Sequence, residues 1–179
     1  MYKNVQLKRI IIVSTLMICV YIPSAHAQSV TFSGRLNAGT GITTGKTDEN
    51  HVRRSPSFLS AELRTFFDDD VFPVYSLEIL SEIESRTTLG IVPKIEYTGS
   101  IGDNLAVTVY GGIHSKVAPM TMFGPEIGVY LHMDLGKIVI HFKISMGIFP
   151  WGDDLPDGTT LTKIDFSTGF SFPITRYGQ

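Results

Sequence analysis

The stretch KIVIHFKISMGIF, residues 137–149, alternates apolar and polar side chains. Isoleucine, phenylalanine and methionine occupy every even-numbered position, while His141, Lys143 and Ser145 lie between them. An alternation with a period of two is typical of a β-strand that presents one apolar face. Strands of soluble proteins average about 5–6 residues, whereas a tilted membrane-crossing strand needs roughly 9–11. The length of this stretch therefore favours a strand that crosses a membrane.

The same alternation recurs along the chain after residue 28. The clear segments lie at residues 87–98, 123–134 and 163–174, and weaker ones near residues 30–40, 57–67, 71–82 and 105–114. Their apolar faces are nearly free of charge, as exposure to lipid requires. Short, turn-rich links alternate with longer or more irregular ones near residues 41–56, 83–86, 115–121 and 150–160, of which 83–86 is short. This is the order expected when both ends of a barrel lie in the periplasm. The sequence predicts an all-β fold, an eight-stranded antiparallel up-and-down transmembrane β-barrel.

The first 27 residues have the pattern of a cleaved signal peptide. Basic side chains near the start precede an apolar run over residues 10–22, and Ala25-His26-Ala27 supplies the small-x-small cleavage pattern. The run is shorter than the roughly 20 residues that a spanning helix needs. We therefore predict a signal peptide over residues 1–27 and a barrel domain over residues 28–179.

The composition excludes some partners and sources of stability. The only cysteine, Cys19, lies within the predicted signal peptide, so the mature chain is expected to form no disulfide. The formal net charge of −2 offers no basic face for nucleic acid. No nucleic-acid partner and no cofactor are expected.

The polar faces of the segments carry charges of both signs. In an eight-stranded barrel the side chains just fill the lumen, and buried charges persist only when they are paired and hydrogen-bonded. A pore would favour rings of one sign. We therefore predict a plugged, salt-bridged interior with a structural role. Its expected members are Arg35, Glu62, Arg64, Glu78, Lys94, Glu96, Glu126, Asp134, Lys143, Lys163 and Asp165.

Aromatic side chains lie near several predicted strand ends. Amphipathic rings favour the headgroup zone of a membrane, so these residues fit an interface girdle, although ordinary packing on a strand is an alternative for each. The set is Tyr75, Tyr97, Phe149, Trp151, Phe172 and Tyr177.

The alternation over the whole predicted barrel domain, together with two local features, gives a resemblance to a known family without a diagnostic motif. The stretch GSIGDNL, residues 99–105, looks like a turn common in small barrels, and the final strand, with Phe170 and Phe172 in phase, looks like the signal read by the barrel-assembly machinery. It departs from that pattern by ending in RYGQ. The chain thus resembles the small eight-stranded bacterial outer-membrane barrels, the OmpA- and OmpX-like group. The resemblance implies an outer-membrane location with periplasmic termini, in contact with outer-membrane lipid and lipopolysaccharide.

Pro93 conflicts with its segment. A proline in the middle of a strand removes a backbone donor that lipid cannot replace. Either a bulge at Pro93 or a strand shorter than residues 87–98 would resolve the conflict.

Catalytic candidates are weak. Some barrels of this size resemble lipid A-modifying enzymes with a Ser/His pair, and here the only neighbouring pair is His114-Ser115. Adjacent residues on a strand point to opposite faces, so these two are poorly placed as base and nucleophile. We expect no enzymatic activity.

Metal and anion candidates are also weak. His132 and His141, with Glu126 or Asp134, form an incomplete ligand set, so an interior hydrogen-bond role is favoured. The acidic loop at residues 153–158 lacks the register of a calcium loop. Arg53-Arg54 is suited to lipopolysaccharide phosphates or to simple solvation. No metal site is predicted.

Three functions remain open at this level. The leading hypothesis is a non-enzymatic barrel that serves envelope integrity or surface interaction through its loops. The alternatives are a lipid A-modifying barrel enzyme and a soluble lipocalin-like lipid carrier, although the Gly-x-Trp signature of lipocalins is missing.

Overall fold

The computed structural model describes residues 30–46, 51–67, 73–83, 87–118, 121–152, 155 and 159–177. The predicted signal peptide lies outside the described residues. The described strands are β1 (Val30–Lys46), β2 (His51–Arg54), β3 (Ser57–Phe67), β4 (Val74–Ile83), β5 (Thr87–Ser100), β6 (Leu105–Ala118), β7 (Met122–Asp134), β8 (Val139–Phe149), β9 (Trp151–Gly152) and β10 (Leu161–Tyr177). In this described part of the chain, no helix is long and apolar enough to cross a bilayer.

The eight long strands, β1, β3 to β8 and β10, form one closed antiparallel sheet. Each pairs with the next long strand along the chain, and β10 returns to pair with β1. The closing register runs from Val30 opposite Tyr177 to Gly45 opposite Leu161. The eight-stranded antiparallel up-and-down barrel predicted from the sequence is thereby confirmed.

The two ends of the barrel differ. One end of the barrel contains the start of β1 and the end of β10, together with the tight connections at residues 101–104 and 135–138. We call it the terminal end. At the opposite end, which we call the loop end, β2 pairs with the last residues of β1, and β9 pairs with the start of β7. The hydrogen-bonded sheet therefore extends beyond the eight long strands at the loop end.

The outward face of the barrel is apolar. Large apolar side chains along every long strand are exposed, as at Leu59 (58%), Ile127 (58%) and Ile144 (55%), whereas their strand neighbours point inward and are mostly polar. This is the reverse of a soluble barrel, which buries its apolar face. The pleat produces the division because successive side chains of a strand point to opposite faces.

The exposed apolar side chains form a continuous band, the outer belt. On β7 the belt runs from Phe123 to Met133. A rise of roughly 3.3 Å per residue and a tilt of roughly 40° give it a height of about 25 Å, which matches the apolar band of membrane barrels. Even the shortest barrel strand, β4, has 10 residues, the length that a tilted membrane strand needs.

Several strands continue beyond the segments predicted from alternation. β1 extends to Lys46, β6 extends to Ala118, and β10 begins at Leu161. In the extension of β1, for example, Thr44 occupies an exposed outward position that an apolar side chain would take in mid-strand. The hydrophobic pattern therefore fades while the backbone ladder continues.

Pro93 is accommodated by a local break in one ladder. β5 is continuous, and Pro93 pairs with Leu77 of β4. In the described register between β5 and β6, neither Val92 nor Pro93 has a partner, while the register shift lies earlier, between Leu89 and Gly90. The strand is thus not shortened, and the missing donor is confined to the β6 side.

We expect charges to be tolerated on the outer face only near its edges. Val129 lies near the middle of the outer belt on β7, and Met133 lies at its lower edge. If the belt faces lipid, Val129→Arg lowers the free energy of unfolding by about 2–4 kcal/mol and Met133→Arg by about 0–1 kcal/mol. Denaturant titration of the protein refolded in lipid vesicles measures both values. Equal costs at the two positions would contradict a lipid-facing belt.

Candidate functional site: the barrel interior

The interior contains as many cationic side chains as carboxylates in the described strands, and all of them are buried. Burying an unpaired ion costs several kcal/mol, so equal numbers permit complete pairing. The cations are Arg35, Arg64, Lys94, Lys116, Lys143 and Lys163, and the carboxylates are Glu62, Glu78, Glu82, Glu96, Glu126 and Asp165.

Glu62 is a centre of the network at mid-height. Its Oε1 accepts a hydrogen bond from Arg35 Nη1 at 2.9 Å, and its Oε2 accepts from Lys94 Nζ at 3.0 Å and from Tyr130 Oη at 2.9 Å. These donors come from β1, β5 and β7. A single carboxylate therefore links strands on different sides of the barrel.

Glu78 is a second centre. Lys143 Nζ donates to its Oε2 at 2.8 Å, Lys94 pairs with the same oxygen, and Ser60 donates to its Oε1. The side chain of Glu78 is almost completely buried. Its negative charge is thus compensated by two lysines rather than by water.

Glu96 is a third centre of the network and lies toward the terminal end. Arg35 Nη1 and Ser76 Oγ donate to its Oε1 at 3.0 and 2.8 Å, and Arg64 Nη2 lies 2.9 Å from its Oε2. The Arg35 guanidinium also lies over the ring of Tyr130, at 4.2 Å from the centroid. The cations are therefore held by carboxylates and by an aromatic face.

Two tyrosine rings fill the lumen between the charges. Tyr110 and Tyr130 are almost fully buried, with ring centroids 5.4 Å apart, and Tyr110 Oη donates to Glu126 Oε1 at 2.7 Å. A Cβ at Gly128 would run into the ring of Tyr110. A glycine is therefore required at this position on the neighbouring strand.

A separate ion cluster lies toward the loop end. Lys116 Nζ donates to Glu82 Oε2 at 2.6 Å, and Lys163 pairs with both Glu82 and Asp165. The ring centroids of Phe58 and Phe149 lie 5.3 and 5.5 Å from the Nζ atoms of Lys163 and Lys116, and Leu80 and Met122 are buried as well. The loop-end half of the lumen is thus filled by ion pairs and hydrocarbon together.

The structure separates the two catalytic candidates. His114 points inward, where its Nδ1 lies 2.6 Å from Glu126 Oε2 and its ring contacts Phe149 edge-on. Ser115 points outward, because it follows His114 on the same strand. The imidazole therefore has a carboxylate partner and does not face the Ser115 hydroxyl.

His132 and His141 lie directly opposite each other on β7 and β8. The His132 Nε2 is 2.8 Å from Thr108 Oγ1, and the His141 Nε2 is 2.5 Å from Asn37 Oδ1. Each ring thus has a neutral hydrogen-bond partner. Among the described residues, no group of three or more His, Cys, Asp or Glu side chains is arranged to hold a metal ion.

Two predicted positions are wrong. Phe149, expected at the membrane interface, is 1% exposed and points into the lumen because it is in phase with Lys143 and Gly147 on β8. Asp134, expected in the interior network, is exposed at the end of β7, where its Oδ1 accepts from the Gly136 backbone N at 2.7 Å. In both cases the strand end was assigned to the wrong environment.

The structure places the other predicted network members inside the lumen. Sequence reasoning missed Glu82, Lys116, Tyr110 and Tyr130, although strand parity could have found them. Glu82 is in phase with Glu78, and Lys116 follows the inward His114 by two positions. Glu82 is the last residue of its predicted segment, and Lys116 lies two residues beyond the segment predicted at residues 105–114.

The remaining predicted aromatics divide between the two ends. Near the terminal end, Tyr97 and Phe172 are exposed and Tyr75 is partly exposed. At the loop end, Trp151 is exposed and stacks on Phe123, with 5.4 Å between the ring centroids. The side chains of Tyr177, Arg53 and Arg54 lie outside the described part of the structure, as does the loop at residues 153–158 apart from Leu155.

Comparison with known proteins agrees with this architecture. The chain matches no protein-family model and no curated protein. Among solved structures it is similar to Neisserial surface protein A, with 7% identity and a TM-score of 0.57 over 80% of this chain and 97% of that one. Weaker similarities, with TM-scores of 0.45, are to the N-terminal β-barrel domain of Pseudomonas aeruginosa OprF (15% identity, 78% and 97% coverage) and to the outer membrane enzyme PagL (13%, 78% and 99%).

The fold and the interior together define the class of protein. A closed eight-stranded antiparallel barrel, apolar outside and ion-paired inside, is the fold of the small outer-membrane barrels. The likeness to Neisserial surface protein A concerns the fold alone.

The ion pairs should be strongly interdependent. Glu78→Gln leaves Lys94 and Lys143 with one countercharge fewer, and removing one partner of a buried pair typically costs about 3–5 kcal/mol. We expect a loss of that size in the free energy of unfolding, measured by denaturant titration in lipid vesicles.

A double variant provides the matched control. Glu78→Gln combined with Lys143→Met removes one charge of each sign, so it should be less destabilised than Glu78→Gln alone. Asp134→Asn, at an exposed position, should change stability by no more than about 0.5 kcal/mol. If the double variant is the less stable of the two, the network is not held together by charge compensation.

Proposed function

We propose that this protein is an integral outer-membrane β-barrel with a plugged interior, which serves envelope integrity or surface interaction through its loops and catalyses no reaction. The observation that carries the proposal is the distribution of side chains. An apolar belt about 25 Å tall surrounds the barrel, while the charges are inside and paired. Lipid can solvate such an outer face, and water cannot do so without cost.

The orientation follows from the two ends. Barrels of this class have short periplasmic turns and longer extracellular loops. The described connections at the terminal end, residues 101–104 and 135–138, are tight, and the loop end carries β2 and β9. These features support periplasmic termini and an external loop end, where outer-membrane lipid and lipopolysaccharide would surround the belt. During biogenesis, β10 would present the assembly signal to the barrel-assembly machinery.

The structure weakens the two alternatives. A lipocalin-like carrier would need an apolar lumen, whereas this lumen is occupied by ion pairs and by buried tyrosines. A lipid A-modifying enzyme built on His114 and Ser115 would need both side chains on one face, and they lie on opposite faces. A non-enzymatic barrel that serves envelope integrity or surface interaction remains the function that the geometry supports best.

Cell fractionation tests the location. We expect the protein in the outer-membrane fraction, extracted only by detergent, and migrating faster on a gel when it is not boiled, because a closed hydrogen-bonded barrel resists unfolding by detergent at room temperature. An unrelated soluble periplasmic protein serves as the control for leakage. Recovery of the mature chain in the soluble periplasm would overturn the proposal.

The plug predicts the absence of a conducting pore. Arg35, Glu62, Lys94 and Tyr130 are buried across the middle of the lumen, so no continuous column of water is expected through it. Planar bilayers containing the refolded protein should show no stable single-channel currents, while a porin reconstituted in the same way provides the positive control. Reproducible unitary currents would show that the lumen is open.

A further inference from the structure

The lumen widens at the terminal end into a cavity of about 470 Å3. We call it the vestibule; it lies between the centre at Glu96 and the tight connection at residues 101–104. Its volume is within the range of about 300–1,000 Å3 that is typical of small-molecule sites. The proposed function does not involve the vestibule.

The floor of the vestibule is already neutralised. Arg64 donates to Glu96 Oε2 from Nε at 3.0 Å, and its Nη2 lies 2.9 Å from the same oxygen. The Arg64 guanidinium also lies over the ring of Phe66, at 4.5 Å from the centroid. An incoming anion or cation would therefore compete with an existing partner.

The walls are rich in hydroxyl groups. Thr98 Oγ1 and Thr108 Oγ1 are 2.6 Å apart, and Ser100 and Ser171 also line the cavity. Phe66 and Val74 provide an apolar surface on β3 and β4, and β4 pairs directly with β5. The vestibule thus presents hydroxyl groups beside an aromatic ring.

The carboxylates of Asp103 and Asp134 lie at the exposed rim of the vestibule. They would repel an anion that approaches Arg64, while a cation at the floor would have to displace Arg64 from Glu96. A purely apolar ligand would cover the exposed hydroxyl groups of Thr98 and Ser100 and remove their contact with water, which is costly. A neutral ligand with many hydroxyl groups and one apolar face meets none of these penalties.

We propose that the vestibule binds a neutral saccharide, with its hydroxyl groups on Thr98 and Ser100, both exposed, and its apolar face against Phe66. The site requires only the barrel fold, so it does not depend on the proposed role of the loops. In the proposed orientation the vestibule opens to the periplasm, where the saccharide would come from an acetylated wall glycan or from a free sugar.

Ligand-detected NMR tests the proposal. The full mature chain is refolded in dodecylphosphocholine, a detergent without a sugar headgroup, and saturation transfer is measured to N,N′-diacetylchitobiose and to cellobiose. We expect transfer to at least one of these neutral disaccharides and none to the charged analogues, cellobiuronate and deacetylated chitobiose at pH 6. Stronger transfer to the acetylated sugar indicates a wall glycan, and stronger transfer to cellobiose indicates a free sugar; either result supports the site.

Paired variants on β6 locate the binding. Ala106 lines the vestibule, and Val107, the next residue, points outward. Ala106→Trp should fill the cavity and abolish saturation transfer, whereas Val107→Trp should preserve it. Heat-modifiable migration shows that each variant is folded. Thr98→Val, which removes a wall hydroxyl with little change of shape, should weaken binding and decides the matter if Ala106→Trp does not fold.

Three results would overturn the proposal. They are the absence of transfer to both neutral disaccharides, equal or stronger transfer to a charged analogue, and transfer that persists unchanged when the cavity of a folded Ala106→Trp variant is filled. Failure of membrane fractionation would instead concern the proposed function, because saccharide binding is measured on the refolded barrel alone.

Discussion

Each charge that the described strands turn into the lumen must find its countercharge there, because the outer face offers only hydrocarbon. Removing an ion from water costs several kcal/mol unless it is paired and hydrogen-bonded. Glu62 and Glu78 satisfy this constraint by accepting donors from several strands at once. The pairing has a mechanical result. Ladder hydrogen bonds join only adjacent strands, whereas these carboxylates hold non-adjacent strands together across the barrel.

The fold could be predicted from the sequence because the alternation of apolar and polar side chains has a physical cause and recurs from strand to strand. A strand that separates lipid from a charged lumen must alternate along its whole crossing, and residues 137–149 do so without interruption. Pro93 showed the limit of this reasoning. The position of a missing donor depends on which neighbour the backbone faces, and β5 keeps its ladder with β4 while losing it toward β6. Alternation alone does not contain that information.

The interior was predicted well at mid-strand and poorly at strand ends. Lys94 and Lys143 lie within clear alternation, so parity alone placed them inside. Glu82 and Lys116 lie where the apolar partners thin out, and they were missed. Phe149 was assigned to the interface by its residue type, although its parity directed it inward. Partners such as Ser60 for Glu78 or Tyr130 for Glu62 depend on register across the barrel, which one sequence does not display.

The pairing of the first strand with the last also constrains how the molecule is made. Val30 meets Tyr177 and Gly45 meets Leu161, so the contacts that close the sheet join residues from opposite ends of the chain. Such distant pairs form late, because a long loop must be closed before they contribute stability. A nascent chain that lacks β10 would leave the edges of both β1 and β8 unpaired, a state that hydrocarbon does not tolerate. Closure of the sheet is therefore expected to be all-or-none and to wait for the last strand, β10.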